Sequence, residues 1–219
     1  MLTTTTVIDR LKKEFEKNDY AFFEGEEFDL NFFGLRSAAQ GNVFNDLIGC
    51  AYKSGGTWQL RLWRATTDPG RYYLQNPMNS GGAAIVKPGQ YRGVWQLGLH
   101  CSSYQALVQT GNEITVWRDV NQDALLDFDE SKVSTGYFGI NHHKAGTHSE
   151  QVDKWSAGCQ VHGDLAGFEE AMWLARTQLL FHPTWTKFTY TLFTLMDEPG
   201  CPKSTDLAFL FDISPAWQD

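Results

Sequence analysis

Few of the usual signposts are present in this chain. Its four cysteines, Cys50, Cys101, Cys159 and Cys201, are scattered without a C-x-x-C pair, which argues against a zinc knuckle and leaves four thiols for a reducing compartment. There is no cluster of lysine and arginine, and the net charge is −8. Neither nucleic acid nor an anionic membrane surface is therefore an expected partner. No apolar run reaches bilayer length, and Met1 to Asn18 has no basic stretch leading into an apolar one, so neither a membrane span nor a secretory signal is expected. Repeats and low-complexity linkers are also missing, so a second globular domain has no obvious place to start.

What the chain does have is apolar and aromatic mass. Hydrophobic residues make up 42% and aromatics 14%, with 8 Trp and 15 Phe, enough for a sizeable core and too much for disorder. Thr6 is placed to cap a helix over Val7 to Lys17, with Val7, Leu11 and Phe15 on one face and charge on the other. That helix is expected to dock on the main body. From Asp46 the pattern becomes β. Leu47 to Tyr52, the turn Lys53-Ser54-Gly55-Gly56 and the alternating Thr57 to Thr66 predict a hairpin. Tyr72 to Gln75, Ile85-Val86, Tyr91 to His100, Tyr104 to Thr110, Glu113 to Arg118, Tyr137 to His143 and Phe188 to Leu195 read as further strands. One helix interrupts them: Asp164 is a good N-cap for a stripe of Phe168, Ala171, Met172, Ala175 and Leu179. The expected architecture is mainly β (α+β), a sandwich or barrel-like body. The expected division is an N-terminal helix and connecting segment over 1–45 and a catalytic domain over 46–219.

The most telling stretch is Trp155-Ser156-Ala157-Gly158-Cys159-Gln160-Val161, with His143 upstream. A thiol directly after a glycine, on a tight bend, is how a chain presents a nucleophile. The glycine frees N–H groups for a developing oxyanion, and an imidazole on a neighbouring strand can take the proton. The competing reading is an inert buried thiol. Between the two adjacent histidines, strand alternation puts Phe138, Ile140 and His142 on the core face and His143 on the other, so His143 is the expected base. Ser156 can orient His143 or simply cap the turn. His100 closes a strand and is either a second site histidine or an ordinary strand end. Tyr91 and Arg92, in the turn Pro88 to Gly93, and Arg36 are candidates for substrate contact, with a structural role as the alternative. His148 lies in the polar loop before the cysteine, where it could gate substrate or stay exposed.

The order strand, His, Gly-Thr, loop, Ser-x-Gly-Cys, helix resembles the catalytic block of L,D-transpeptidases of the YkuD type over Tyr137 to Val161. The likeness is to a distant, partly phage-encoded branch reading I-N-x-H-[RK]-A and W-S-A-G-C-Q-V. It extends to Ala65–Met78 and Pro88–Gly93, while Gln160-Val161 stands where the family usually has a branched aliphatic residue and Arg. The resemblance implies a cysteine enzyme of peptidoglycan stem peptides. Cys159 would attack an L-centre carbonyl and pass the thioester to an amine or to water, with the Gly158 and Cys159 N–H groups holding the oxyanion and the imidazole lowering the thiol pKa. No cofactor is required by that chemistry. The expected place of action is the cell wall, reached for a phage lysin by release through a holin. Alternatives on the same scaffold are a glycan-strand hydrolase, which would need paired carboxylates, and a non-catalytic wall-binding or virion protein.

A second constellation stands apart. Asp119, Asn121, Asp123, Asp127 and Glu130 occupy positions 1, 3, 5, 9 and 12 of an EF-hand loop, and Leu125 offers its backbone carbonyl at position 7. Position 6 is Ala124 where glycine is usual, and neither flank reads as a helix. A structural calcium site and a solvated acidic turn are both open readings.

Overall fold

The computed structural model describes residues 2–39 and 41–214. Eleven strands and four α-helices are arranged in it: α1 (Thr4–Lys17), β1 (Asn31–Arg36), β2 (Asp46–Ser54), β3 (Thr57–Thr66), α2 (Arg71–Gln75), β4 (Ala83–Val86), β5 (Gly89–His100), β6 (Tyr104–Gln109), β7 (Ile114–Asp119), β8 (Val133–Gly136), β9 (His142–Lys144), β10 (Gln160–His162), α3 (Leu165–Phe181), β11 (Phe188–Thr194) and α4 (Phe209–Ile213). Eight strands close a barrel in the order β1-β11-β5-β6-β9-β10-β3-β2, and β4, β7 and β8 form a separate three-stranded sheet. The chain is thus mainly β, with a closed barrel as its body. Closure leaves that sheet no free edge.

The β2–β3 hairpin forms as its pattern requires. Gly55 and Gly56 have φ of +60° and +70°, the left-handed pair that a two-residue hairpin turn demands and glycine supplies without strain. Residues of β1, β2 and β3 alternate between two cores. Phe32, Ile48, Cys50, Trp63 and Ala65 point into the barrel with Trp95, Tyr190 and the α3 residues Phe168, Ala171 and Met172. Phe33, Leu35, Leu47 and Ala51 point outward under Val7, Ile8, Leu11 and Phe15 of α1 and Leu210 of α4. Burial of α1's stripe is what docks it.

Three sequence expectations change. The α1 cap is Thr3, whose side chain accepts from the Thr6 N–H at 3.2 Å. Tyr72 to Gln75 is helical (α2), not a strand: it follows the turn at Gly70 and buries only Leu74. The connecting segment contains β1, which pairs with β2 on one side and, in parallel, with β11 on the other, so the line drawn at residue 46 falls between two hydrogen-bonded barrel strands. All six β1 residues are buried; a strand covered on both faces shows no alternation to read.

Candidate active site

Of the expected Tyr137–His143 strand only His142 and His143 are regular, in β9 (His142–Lys144), and Gly139 bends the chain before them at φ +71°. β9 runs parallel to β10 with Gln160 opposite His142 and Val161 opposite His143. Continuing that register puts Cys159 beside Asn141, and alternation then sends Cys159, Val161, Asn141 and His143 to the outer face of the barrel while Gln160, His162 and His142 face inward. The turn carrying Cys159 is pinned from several directions. Gly158 has φ +123°, and a Cβ there would come within 2.4 Å of the Ala84 carbonyl oxygen, so only glycine fits. The Ser156 hydroxyl donates to the Cys159 carbonyl (2.8 Å) and accepts from the Gly158 N–H (3.1 Å). From inside the barrel, the Gln160 carboxamide donates to the Gly158 and Thr67 carbonyls and accepts from the Tyr190 hydroxyl at 2.5 Å.

The Cys159 side chain is half-buried. Its Sγ accepts from the Asn141 N–H (3.4 Å) and donates to the Gly139 carbonyl (3.4 Å). Burial pushes the thiol up to about 11, against the lowering by the Asn141 N–H. This corrects the expectation of an imidazole-activated thiol, since no histidine is hydrogen-bonded to Sγ. Ser156 caps the turn and does not orient His143. The Gly158 N–H, expected to help hold an oxyanion, is taken by Ser156; the Cys159 N–H donates to no described residue and remains free for that role.

His143 lies on the same face. Its Nδ1 faces the Lys144 carbonyl at 2.9 Å, with the Tyr104 hydroxyl at 3.4 Å. A carbonyl can only accept, so Nδ1 carries the proton and Nε2 the lone pair. Nε2 has no partner among the described residues and is not sealed from solvent. Burial, reinforced by His100, pushes His143 down to about 3, so it is neutral at pH 7. His100 stacks on it with centroids 4.0 Å apart; the same His100 ring reaches the Asn141 carboxamide (3.1 Å) and the Cys101 thiol (3.4 Å). Asn141, Tyr104 and Cys101 had no assigned role in the sequence; Asn141 sits in the I-N-x-H motif, but its role as a cradle for sulfur comes from its backbone and carries no side-chain signature.

Other candidates are elsewhere. The Tyr91 hydroxyl donates to the Lys87 and Thr115 carbonyls, and Arg92 lies over the Phe23 ring at 5.1 Å; both belong to the opposite end of β5 from His100 and join none of the groups around Cys159. Arg36 is fully buried, within 2.7 Å of Asp68 and 3.0 Å of Glu198, an internal ion network that no substrate reaches. His148 is exposed and its backbone bridges to Asp164. His142 is in the core, stacked on His162 at 4.7 Å with Nε2 atoms 2.5 Å apart. A cleft of about 300 Å³ lined by Tyr73, Met78, Arg118, Phe138 and Ala157 adjoins the Cys159 turn. A larger cavity, about 1050 Å³, lies between α1, β3 and α3 and includes no residue of that turn, so size alone does not mark the chemistry.

In the acidic loop, Asn121 Nδ2 donates to both Asp123 and Asp127, and Asp119 accepts from the Asp127 N–H, whereas Glu130 turns away to Lys87 (2.6 Å) and the Trp117 indole (2.8 Å). Among the described residues no helix is long and apolar enough to cross a membrane. Comparison with protein-family models, curated proteins and solved structures finds no match to this chain.

Proposed function

We propose that the chain is a cysteine acyl-transfer enzyme acting on peptidoglycan stem peptides, on an L,D-transpeptidase-like scaffold, with net hydrolysis favoured over crosslinking. The observation that carries this reading is the His143 tautomer: Nδ1–H is tied to Lys144, leaving an open Nε2 lone pair on the same face as a half-exposed thiol held on a glycine turn. With a thiol at about 11, only about one molecule in 10⁴ carries a thiolate at pH 7. The proton therefore leaves as the bond forms, and a base is obligatory. Sγ attacks the carbonyl carbon while His143 Nε2 takes the thiol proton. The oxyanion takes a hydrogen bond from the Cys159 N–H, and the leaving amine departs with the proton from His143. Water, giving its proton to Nε2, then cleaves the thioester and regenerates the thiol; an amine in its place would form a crosslink. Among the described residues no carboxylate is hydrogen-bonded to Cys159 or His143, so a glycan-cleaving role would need a pair of carboxylates away from this site. Action at the wall, with holin-mediated release for a phage lysin, rests on the motif resemblance.

A second reading, a non-catalytic wall-binding protein, is favoured by one observation: the Sγ hydrogen bonds go to the Asn141 N–H and the Gly139 carbonyl, and none to an imidazole. Digestion of purified sacculi by the wild type and by Cys159→Ala, with products identified by mass, separates the two. New peptide termini from the wild type, lost by more than about 10³-fold in the variant, are expected. Unaltered digestion by the variant, or intact peptides on shortened glycans, overturns the cysteine mechanism; no products from either protein supports the binding role.

A further inference from the structure

The loop after β7 links its polar side chains to one another and to its own backbone. Ala124, at the sixth position, has φ +72° and Gln122 +61°, so the chain makes the sharp bend of a calcium loop although glycine is missing. Asn121 Nδ2 donates to Asp123 (3.1 Å) and Asp127 (2.5 Å), while the Leu125 N–H donates to Asp123 (2.8 Å). Asp119 is the independent pointer to a ligand. It is 1% exposed, its Oδ2 accepts from the Asp127 N–H at 3.3 Å, and its Oδ1 is buried with no donor. A buried carboxylate oxygen left unsatisfied is costly. A cation bound there supplies its missing partner.

We propose that Asp119, Asn121, Asp123, Asp127 and the Leu125 carbonyl form a calcium site, and that Glu130 is not one of its ligands. Among the described residues no three Asp, Glu, His or Cys side chains stand close enough together to hold a metal ion, so Asp119, Asp123 and Asp127 close on the calcium as it binds. The Asn121 NH₂ lies between the Asp123 and Asp127 carboxylates, where the ion would sit. Rotating that carboxamide gives up the bond from the Asp123 N–H to Asn121 Oδ1 (3.1 Å) and brings Oδ1 to the ion in its place. Glu130 is committed to Lys87 and Trp117, unlike the twelfth residue of an EF-hand. Through the β4–β7 ladder, Asp119 is paired with Ala83, next to the Ala84 carbonyl that backs Gly158, so the ion would brace the sheet behind the cysteine turn.

Calorimetric titration of the full chain with CaCl₂, together with melting in 5 mM calcium or in chelator, tests this. The wild type is expected to bind with a dissociation constant of about 0.3 mM and to gain about 3–7 °C in Tm. Asp123→Ala, at an exposed position that leaves folding intact, loses both responses, whereas Glu130→Gln keeps them. Absence of binding heat and Tm shift in the wild type overturns the site, as does binding by Asp123→Ala equal to wild type; loss of binding in Glu130→Gln overturns the ligand set.

Discussion

Replacing both core histidines, His142 and His162, by leucine should change how stability depends on pH far more than it changes stability itself. Both rings are fully buried. Desolvation first, and the neighbouring histidines second, hold His142 down to about 3 and His162 well below its ordinary value. Their Nε2 atoms share one hydrogen bond, and both Nδ1 atoms are buried without a partner. At pH 7 the double variant loses that bond but also removes two orphaned nitrogens, so a net change within about 2 kcal/mol is expected. The sign of the pH effect follows from the depressed folded values. The native state keeps the rings neutral, the unfolded chain protonates them near 6.5, and their contribution is present above that pH and lost as pH falls through it. Each histidine then costs about 1.4 kcal/mol per pH unit, or about 2 kcal/mol between pH 7 and 5. Two give a difference of about 4 kcal/mol in favour of the variant. Comparing the two proteins cancels the titration of His143, Asp68 and Asp119, which both retain. Urea unfolding at pH 7, 6 and 5, followed by tryptophan fluorescence under reducing conditions, measures it. Stability curves that stay parallel from pH 7 to 5 would refute the assignment of two neutral buried rings.

Other perturbations probe single links. His143→Gln should lower turnover on sacculi about 10²–10⁴-fold, and unchanged turnover removes it as the base. Gly158→Ala, which forces a methyl against the Ala84 carbonyl at positive φ, should cost about 2 kcal/mol or more and abolish activity; a variant with wild-type melting and turnover contradicts the pinned turn. Tyr190→Phe strands the buried Gln160 Oε1 and should cost about 1–3 kcal/mol by chemical denaturation. Leu11→Ala empties the contact of α1 with the barrel and should cost about 2–5 kcal/mol; a loss under 1 kcal/mol would mean that the helix is not docked.

Legibility tracked locality. The β2–β3 hairpin was readable because its turn and its alternation lie within one stretch of chain, and the α3 stripe because Asp164 caps it through the Gly167 N–H at 2.7 Å. The thiol turn was readable for the same reason, Gly158 and Cys159 being adjacent. β1 was not, since burial of both its faces erased its period. The role of Arg36 was hidden in a partner 162 positions away, Glu198, and a lone arginine in a sequence cannot reveal such a partner. The thiol's surroundings were misjudged because its hydrogen bonds go to main-chain groups of residues 139 and 141, which almost any residue type could have supplied.

The seam between β1 and β11 bears on how the molecule assembles. These strands, hydrogen-bonded in parallel from Phe32 with Tyr190 to Arg36 with Thr194, are separated by the whole of the other six barrel strands, so the barrel cannot close until β11 has left the ribosome. Closing so long a loop before its contacts form favours slow refolding. Until then β1 offers an unpaired apolar edge to neighbouring chains. Aggregation during synthesis should therefore depend on how soon β11 arrives.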